Sequence, residues 1–220
     1  MIKQHTNAQR NHALKRSLAA VVLCLATATT LQGCIGLAVG GAVVGTLAAT
    51  DRRTLASQAA DKEIGIKGDL RVKNMVGDRG SVSINSFNRK VLLTGEVRDE
   101  AMKANVEREV AALEGVESVV NELAVMPVAS FSQRNNDTFV TGKVKASFVD
   151  ARDVSSNVLK VNTERGVVYL MGRVTQFEGN RAAEIARGVP GVLQVVKVFE
   201  YISEDEARQA ASQPQESTPQ

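Results

Sequence analysis

The thiol of Cys34 is the side chain whose position most clearly suggests covalent chemistry. Cys34 follows Leu31-Gln32-Gly33, so a large apolar residue stands three positions before it and a small residue directly before it. A thiol beside a cleavage point can take a diacylglycerol, and the amine that cleavage frees can take a further acyl chain. One acyl chain binds a bilayer only marginally, whereas two or more hold a protein there stably. Position 34 is therefore suited to a lipid anchor.

The residues before Cys34 have the anatomy of a secretory signal peptide, with an apolar run after a basic start that lacks acids. The basic residues are Lys3, Arg10, Lys15 and Arg16. Leu31-Gln32-Gly33-Cys34 resembles the lipobox of bacterial lipoproteins, which implies a signal peptide over 1–33 and an acylated Cys34. An aspartate directly after the cysteine would resemble the signal that retains lipoproteins in the inner membrane. This chain has Ile35 there, so we expect an outer-membrane anchor facing the periplasm. The alternative is an uncleaved signal anchor with Cys34 as a bystander.

Removal of the predicted signal changes the charge of the chain. Four of the 27 Lys and Arg residues belong to 1–33, which leaves 23 against 24 Asp and Glu residues. The basic character of the whole sequence therefore disappears in the mature protein. A nucleic-acid partner loses its main electrostatic basis.

The same removal excludes most catalytic sites. His5, His12 and Cys24 all lie in the predicted signal, so the mature chain has no histidine and no free thiol. Ser-His and Cys-His nucleophilic sites are excluded, and so are ordinary zinc sites. A paired-carboxylate hydrolase survives this exclusion, but the acids are scattered along polar helix faces. We expect no enzyme, no metal, no cofactor and no small-molecule substrate.

The segment after Cys34 is apolar, rich in glycine and uncharged over residues 35–50. A membrane-spanning helix needs about 20 residues, with a lower limit of about 17, and glycine lowers helix stability. The segment is shorter than that. We therefore expect 34–56 to form a lipidated N-terminus whose apolar part is a flexible tether or lies against the bilayer. A tilted or partly inserted hairpin is the alternative.

The rest of the chain contains a repeat. Residues 90–97, Lys-Val-Leu-Leu-Thr-Gly-Glu-Val, match residues 167–174, Val-Val-Tyr-Leu-Met-Gly-Arg-Val, at an offset of 77. Residues 114–121 match residues 190–197 at an offset of 76. Two chance matches would not keep so constant a register, so the chain is predicted to hold two copies of one domain.

Each copy is predicted to be α+β, in the order helix, strand, strand, helix, strand. Val91-Leu92-Leu93 and Val168-Tyr169-Leu170 are short apolar runs typical of buried strands. Ala101–Leu113 and Asn180–Arg187 carry apolar residues at helical spacing. The predicted boundaries are 57–127 and 137–203 for the domains, 128–136 for a linker and 204–220 for a disordered tail.

Two motifs carry a resemblance to a known family. Leu93-Thr94-Gly95-Glu96-Val97 and Leu170-Met171-Gly172-Arg173-Val174, with a Gly-Val-x-x-Val-Val element after each second helix, resemble the BON domain of bacterial envelope proteins. The resemblance implies two tandem BON domains, each αββαβ with two helices packed on a small three-stranded mixed sheet. The whole arrangement is similar to a family of dual BON-domain outer-membrane lipoproteins. That similarity implies a role in outer-membrane integrity and localisation at the division site.

The two copies differ most in their first helix. In the second copy, Val140, Val144 and Phe148 recur every four residues as a core stripe, whereas Phe139 and Lys143 fall on a neighbouring face. An aromatic residue one turn from a lysine suits a helix whose apolar tip enters lipid while the ammonium meets a phosphate. The first copy has Glu-Ile-Gly-Ile-Lys-Gly-Asp at 63–69, which replaces the aromatic residue by an acid.

The resemblance implies that the second domain binds anionic phospholipid through this helix. The positions that match by residue type are Phe139, Lys143, Lys145 and Phe148. Residues 137–202 have nine basic and seven acidic residues, against ten and twelve in 58–127, so the second copy is the better candidate for an anionic membrane. In the alternative interpretation, Phe139 caps the local core and the lysines are solvated. A further alternative is a scaffold that binds another envelope protein through the sheet edges or the groove between domains.

Overall fold

The computed structural model of the chain describes residues 51–151 and 153–212. The predicted signal, Cys34 and the apolar segment 35–50 lie outside these residues, as do residues 213–220. Among the helices in the described ranges, none is both long and apolar enough to cross a membrane.

The first domain packs two helices on a four-stranded sheet. Its central strand pairs antiparallel with the strand before it and parallel with two short strands that follow the second helix. The hairpin turn consists of Asn88 and Arg89, both at positive φ, as the tightest hairpin turns require. In chain order the elements are α1 (Leu55–Val76), β1 (Ser81–Phe87), β2 (Lys90–Val97), α2 (Glu100–Ala111), β3 (Ser118–Asn121) and β4 (Ala124–Val125).

The second domain repeats this architecture with three strands. The central strand again pairs antiparallel with the strand before it and parallel with the strand after the second helix. The elements are α3 (Phe131–Asp150), β5 (Leu159–Glu164), β6 (Val167–Val174), α4 (Gln176–Arg187), β7 (Gln194–Tyr201) and a further helix α5 (Glu204–Ser212). The predicted α+β class and the order helix, strand, strand, helix, strand are confirmed, and β4 is the one strand of the first sheet that the prediction omits.

The predicted linker 128–136 ends too late. Helix α3 begins at Phe131, because Ser130 accepts a hydrogen bond from the Gln133 backbone while the Gln133 side chain accepts one from the Ser130 backbone. This reciprocal capping satisfies two groups that a helix start otherwise leaves unpaired. The linker is therefore only a few residues long.

The prediction of disorder over 204–220 is wrong for its first part, where α5 forms. Ser203 and Glu206 cap the start of this helix reciprocally, since the Ser203 hydroxyl accepts from the Glu206 N–H and the Glu206 carboxylate accepts from the Ser203 N–H. Ala207 is buried. A cap and one buried contact are enough to order a segment whose composition alone suggests a solvated chain.

Each domain has its own apolar core between its helices and one face of its sheet. In the first domain, the core unites α1 and α2 with alternate residues of β2, such as Val91 and Leu93. In the second domain, α3 and α4 close over Val168 and Leu170 of β6 in the same way. The residues of both clusters belong to the described part of the chain, so a fragment that begins at Asp51 retains them.

The other faces of the two sheets pack against each other. Leu92 from the first sheet and Tyr169 and Met171 from the second belong to one buried cluster, which is separate from the two domain cores. A central strand that is covered on both faces has a continuous run of apolar residues, whereas a strand covered on one face has apolar residues at alternate positions. The domains therefore form one compact unit rather than two independent modules.

Polar contacts fix the two sheets in register. Arg165 donates to the carboxylate of Glu96 at 2.7 Å, and Glu96 is only 2% exposed. Asn162 donates to Thr94 at 2.9 Å. Burial raises the pKa of Glu164, which accepts a hydrogen bond from Ser83 across the same interface. A buried carboxylate is stable only when it has hydrogen-bond or ion-pair partners. These pairs therefore favour the one orientation of the two domains in which the buried carboxylates are paired.

An aspartate in the first helix of each domain fixes that domain's hairpin turn. Asp61 accepts hydrogen bonds from both backbone N–H groups of the first turn, at 2.7 and 2.8 Å. Asp137 does the same in the second turn, at 2.7 and 2.9 Å. Both carboxylates are buried. An N–H left without an acceptor in such a place costs about 1–3 kcal/mol, so each aspartate joins helix to hairpin.

The glycine of each Gly-x-Val motif is required by backbone packing. Gly95 has φ of +109°, and a Cβ at this residue would lie 2.0 Å from the carbonyl oxygen of Ser81. A Cβ at Gly172 would lie 2.5 Å from the carbonyl oxygen of Val158. Both glycines therefore permit a close approach of neighbouring backbone, and the motif needs no ligand to account for it.

Candidate membrane-binding surface

Helix α3 divides its residues between a core stripe and an outward face. Val140 and Val144 are completely buried in the second core, while Phe139 is 66% exposed. One residue of shift around a helix changes direction by about 100°, which separates Phe139 from the stripe. The alternative in which Phe139 caps the local core does not fit this exposure.

Phe148 does not belong to the outward face, and its position argues against the predicted role in lipid binding. It is 1% exposed and packs in the same core as Val140 and Val144. The reason is its spacing of four residues from Val144, which continues the buried stripe. A residue type that matches a family pattern does not decide the face on which the side chain lies.

Lys143 lies beside Phe139 on the exposed side of the helix. Its ammonium nitrogen is 4.9 Å from the centre of the Phe139 ring and donates to the carbonyl oxygen of Pro190 at 2.5 Å. The ring and the carbonyl together hold the ammonium next to the aromatic side chain. The structure thus brings together the two residues that sequence reasoning paired.

Lys145 points elsewhere. It stands six positions after Phe139, which places it about 240° around the helix. On that side of the helix its charge is close to Lys160. Burial lowers the pKa of Lys160, and the nearby charges of Arg53 and Lys145 lower it further. Lys145 is exposed but does not share the face of Phe139 and Lys143.

The loop between α4 and β7 packs against the same part of α3. A Cβ at Gly191 would lie 2.9 Å from Val140 and 3.8 Å from the Lys143 nitrogen. Two residues later, Leu193 is 81% exposed, and its N–H donates to the carbonyl of Gly166 at 2.8 Å. The sequence analysis did not predict a role for Leu193. A comparison of the two copies would have indicated one, because the equivalent residue of the first domain is the charged Glu117.

The equivalent face of the first domain is built differently. Glu63 occupies the place of Phe139, and Lys67 occupies that of Lys143. These two side chains form an ion pair at 2.5 Å, and the hydrogen bond from Lys67 to Glu63 raises the pKa of that lysine. The first domain therefore neutralises the lysine that the second domain leaves next to an aromatic ring.

The segment that precedes α1 is held at the seam between the two domains. Arg52 donates to both carboxylate oxygens of Glu178 at 2.6 and 2.7 Å, while Arg53 pairs with Asp61 at 2.8 Å and lies 4.0 Å from the centre of the Phe87 ring. Burial opposes ionisation of Glu178, but its hydrogen bond from Arg52 prevails and lowers the pKa. Bidentate pairs of this kind are the stronger ion pairs of proteins. The chain thus enters the folded region with a fixed orientation.

Comparison with known proteins identifies the repeat. The BON domain family model matches residues 66–127 and 136–203. Outer membrane lipoprotein DolP of Haemophilus influenzae is 38% identical over 185 residues, which make up 83% of this chain and 95% of that protein. The 21 kDa hemolysin of Actinobacillus pleuropneumoniae is 28% identical over 154 residues, with 69% of this chain and 79% of that protein covered.

A further relative matches a smaller part of the chain. Osmotically-inducible protein Y of Escherichia coli is 33% identical over 117 residues, which cover 52% of this chain and 58% of that protein. The family matches coincide with the two domains of the structure, and the similarity to the Haemophilus protein extends over most of both chains. The chain therefore belongs to the BON-domain family and, within it, to the outer membrane lipoproteins of the DolP family.

Proposed function

We propose that this outer membrane lipoprotein is anchored by acyl chains on Cys34 and uses its second BON domain to bind anionic phospholipid. The proposal includes no catalytic step. The observation that carries it is the pairing of exposed Phe139 with Lys143 on one face of α3. As the family resemblance implies, such binding would support outer-membrane integrity and gather the protein at the division site.

The chemistry of the pair suits the surface of an anionic bilayer. An aromatic ring can enter the boundary between headgroups and acyl chains, while an ammonium beside it meets a lipid phosphate. A basic residue near such a surface contributes about 1 kcal/mol. In the first domain Glu63 replaces the aromatic ring, and its ion pair with Lys67 offsets the charge of that lysine. Only the second domain therefore offers this combination on its first helix.

A lipid anchor makes weak recognition sufficient. A protein already held at the membrane meets its lipid partner at a high effective concentration, so a domain of modest affinity still engages. Arg52 and Arg53 hold the start of the described chain at the domain seam, so these two residues keep a fixed position relative to α3. Local lipid composition can then determine where the protein accumulates.

Substitutions on α3 test the proposal. Phe139→Ala in a fragment of residues 51–220 is expected to weaken flotation with phosphatidylglycerol vesicles about tenfold, because an inserted aromatic ring contributes about 1.5–3 kcal/mol when fully buried. Lys143→Glu is expected to weaken it at least as much, since it replaces attraction by repulsion.

Lys145→Glu is the matched control, because it makes the same change of charge on another face of the same helix and should weaken flotation less than Lys143→Glu. Circular dichroism checks that each variant is folded. Equal flotation of wild type, Phe139→Ala and Lys143→Glu would remove the proposed site.

A scaffold function is the second candidate, and one observation favours it. A groove of ≈ 650 Å³ runs between the end of α1 and strand β1, with Val72, Val76 and Ile84 among its lining residues. Strand β1 is an edge strand of its sheet, and such edges can accept an extended peptide from a partner. Absence of vesicle binding in low salt would favour this function over lipid binding.

A further inference from the structure

Leu193 stands out as an apolar side chain that the fold does not use. It is 81% exposed, while its own backbone is fixed by the bond from its N–H to the Gly166 carbonyl. Single exposed apolar residues are common on protein surfaces, so exposure alone assigns no role. Whether Leu193 has a role therefore depends on where it lies and on which residues surround it.

The same backbone position exists in the first domain with a different side chain. There the N–H of Glu117 donates to the carbonyl of Arg89 at 3.0 Å, and the Glu117 carboxylate lies 3.4 Å from the Arg89 guanidinium. The second domain keeps the backbone hydrogen bond but has Leu193 and Gly166 in place of the two charged residues. A surface ion pair in one copy is thus an exposed apolar residue in the other.

Gly166 also shapes the place where Leu193 lies. A Cβ at Gly166 would lie only 2.9 Å from the Leu193 side chain. The leucine therefore rests on bare backbone at the tip of the hairpin, where the first domain carries an arginine. The conformation of this turn is held from α3 by Asp137.

The loop joins Leu193 to the surface around Lys143. Residues 188–193, Gly-Val-Pro-Gly-Val-Leu, carry no charge, whereas the equivalent residues of the first domain include two glutamates. Pro190 accepts a hydrogen bond from the Lys143 ammonium, and Gly191 lies against Val140. The exposed leucine thus ends a loop that contacts Lys143 through Pro190, and this loop lacks the two glutamates of the first copy.

We propose that Leu193 is a second membrane-inserting residue, so that the domain contacts an anionic bilayer through two chain segments, helix α3 and the α4–β7 loop. This inference rests on the proposed lipid-binding function. Both inserting positions are glutamates in the first domain, namely Glu63 and Glu117. Two inserting side chains on different chain segments fix the tilt of the domain on the membrane, which a single inserting side chain does not.

Site-specific fluorescence tests the inference. The sequence has cysteines only at 24 and 34, so a fragment of residues 51–220 accepts one new thiol without competition. Leu193→Cys, Phe139→Cys and Val149→Cys are each labelled with a polarity-sensitive dye and mixed with phosphatidylglycerol vesicles. Val149 is the matched control, because it is 66% exposed on α3 but lies about 80° around the helix and about 15 Å along its axis from Phe139.

Dyes at 193 and 139 are expected to shift to shorter wavelength and to be quenched by brominated lipid, while the dye at 149 is unchanged. Leu193→Glu is further expected to reduce flotation about tenfold, and Val149→Glu to leave it at the wild-type level. A wavelength shift of the dye at 139 without a shift at 193 would overturn the membrane insertion of Leu193 and leave the proposed function intact. No shift at either position would overturn both.

Discussion

Replacement of Gly95 by alanine is expected to unfold the first domain at temperatures where the wild-type protein is folded. The new Cβ would lie 2.0 Å from the Ser81 carbonyl oxygen, and the residue has φ of +109°. An unfavourable φ costs about 1–3 kcal/mol, and overpacking adds about 1–3 kcal/mol. We expect a loss of about 4 kcal/mol and a fall in Tm of about 10 °C.

Thermal unfolding followed by circular dichroism measures this effect. Gly65→Ala is the matched control, because Gly65 lies within α1 and a Cβ there meets nothing within 4 Å. That substitution should raise stability slightly, since alanine favours a helix over glycine by about 1 kcal/mol. A Gly95→Ala protein as stable as wild type would show that the motif glycine has another role than backbone packing.

Cys34→Ser is expected to abolish lipid attachment completely. A serine hydroxyl lacks the thiolate reactivity on which transfer of a diacylglycerol group to cysteine depends. Labelling of cells with radioactive palmitate should therefore mark the wild-type protein and leave the variant unlabelled, and the variant should remain at the size of the precursor. The effect is all or none because the proposal contains no other covalent anchor.

Cys24→Ser provides the control for this experiment. Cys24 lies in the apolar run of the predicted signal, where serine is tolerated and no acylation is proposed. This variant should be processed and labelled as the wild type is. If Cys34→Ser were still cleaved and labelled, the anchor would have to be assigned to another residue.

The fold followed from two sequence patterns, a repeat and a change of hydrophobic period. The continuous apolar runs Val91-Leu92-Leu93 and Val168-Tyr169-Leu170 indicate buried strands, and the structure covers them on both faces. What covers the second face was not readable, because the cluster of Leu92 with Tyr169 joins residues far apart in the chain. Asp61 and Asp137 were missed for the same reason, since each binds a turn that lies well beyond its own helix.

Helical spacing predicted which side chains lie on the outward face of α3, whereas similarity of residue type did not. Spacing separated Phe139 from the stripe of Val140 and Val144, and the structure places it outside. Phe148 and Lys145 entered the predicted site by similarity of type, although one continues the buried stripe and the other faces away. Leu193 lies on another chain segment, in a loop whose Gly191 is brought near Lys143 only by tertiary contact.

The most direct test of lipid recognition compares neutral and anionic vesicles with an unlipidated fragment of residues 51–220. Flotation is measured with phosphatidylcholine alone and with increasing phosphatidylglycerol, at low salt and at about 0.15 M salt, where charges are screened beyond about 8 Å. We expect binding that rises with the phosphatidylglycerol fraction and falls as salt is added. Equal binding to neutral vesicles, or no binding to anionic vesicles at low salt, would contradict recognition of anionic phospholipid by this protein.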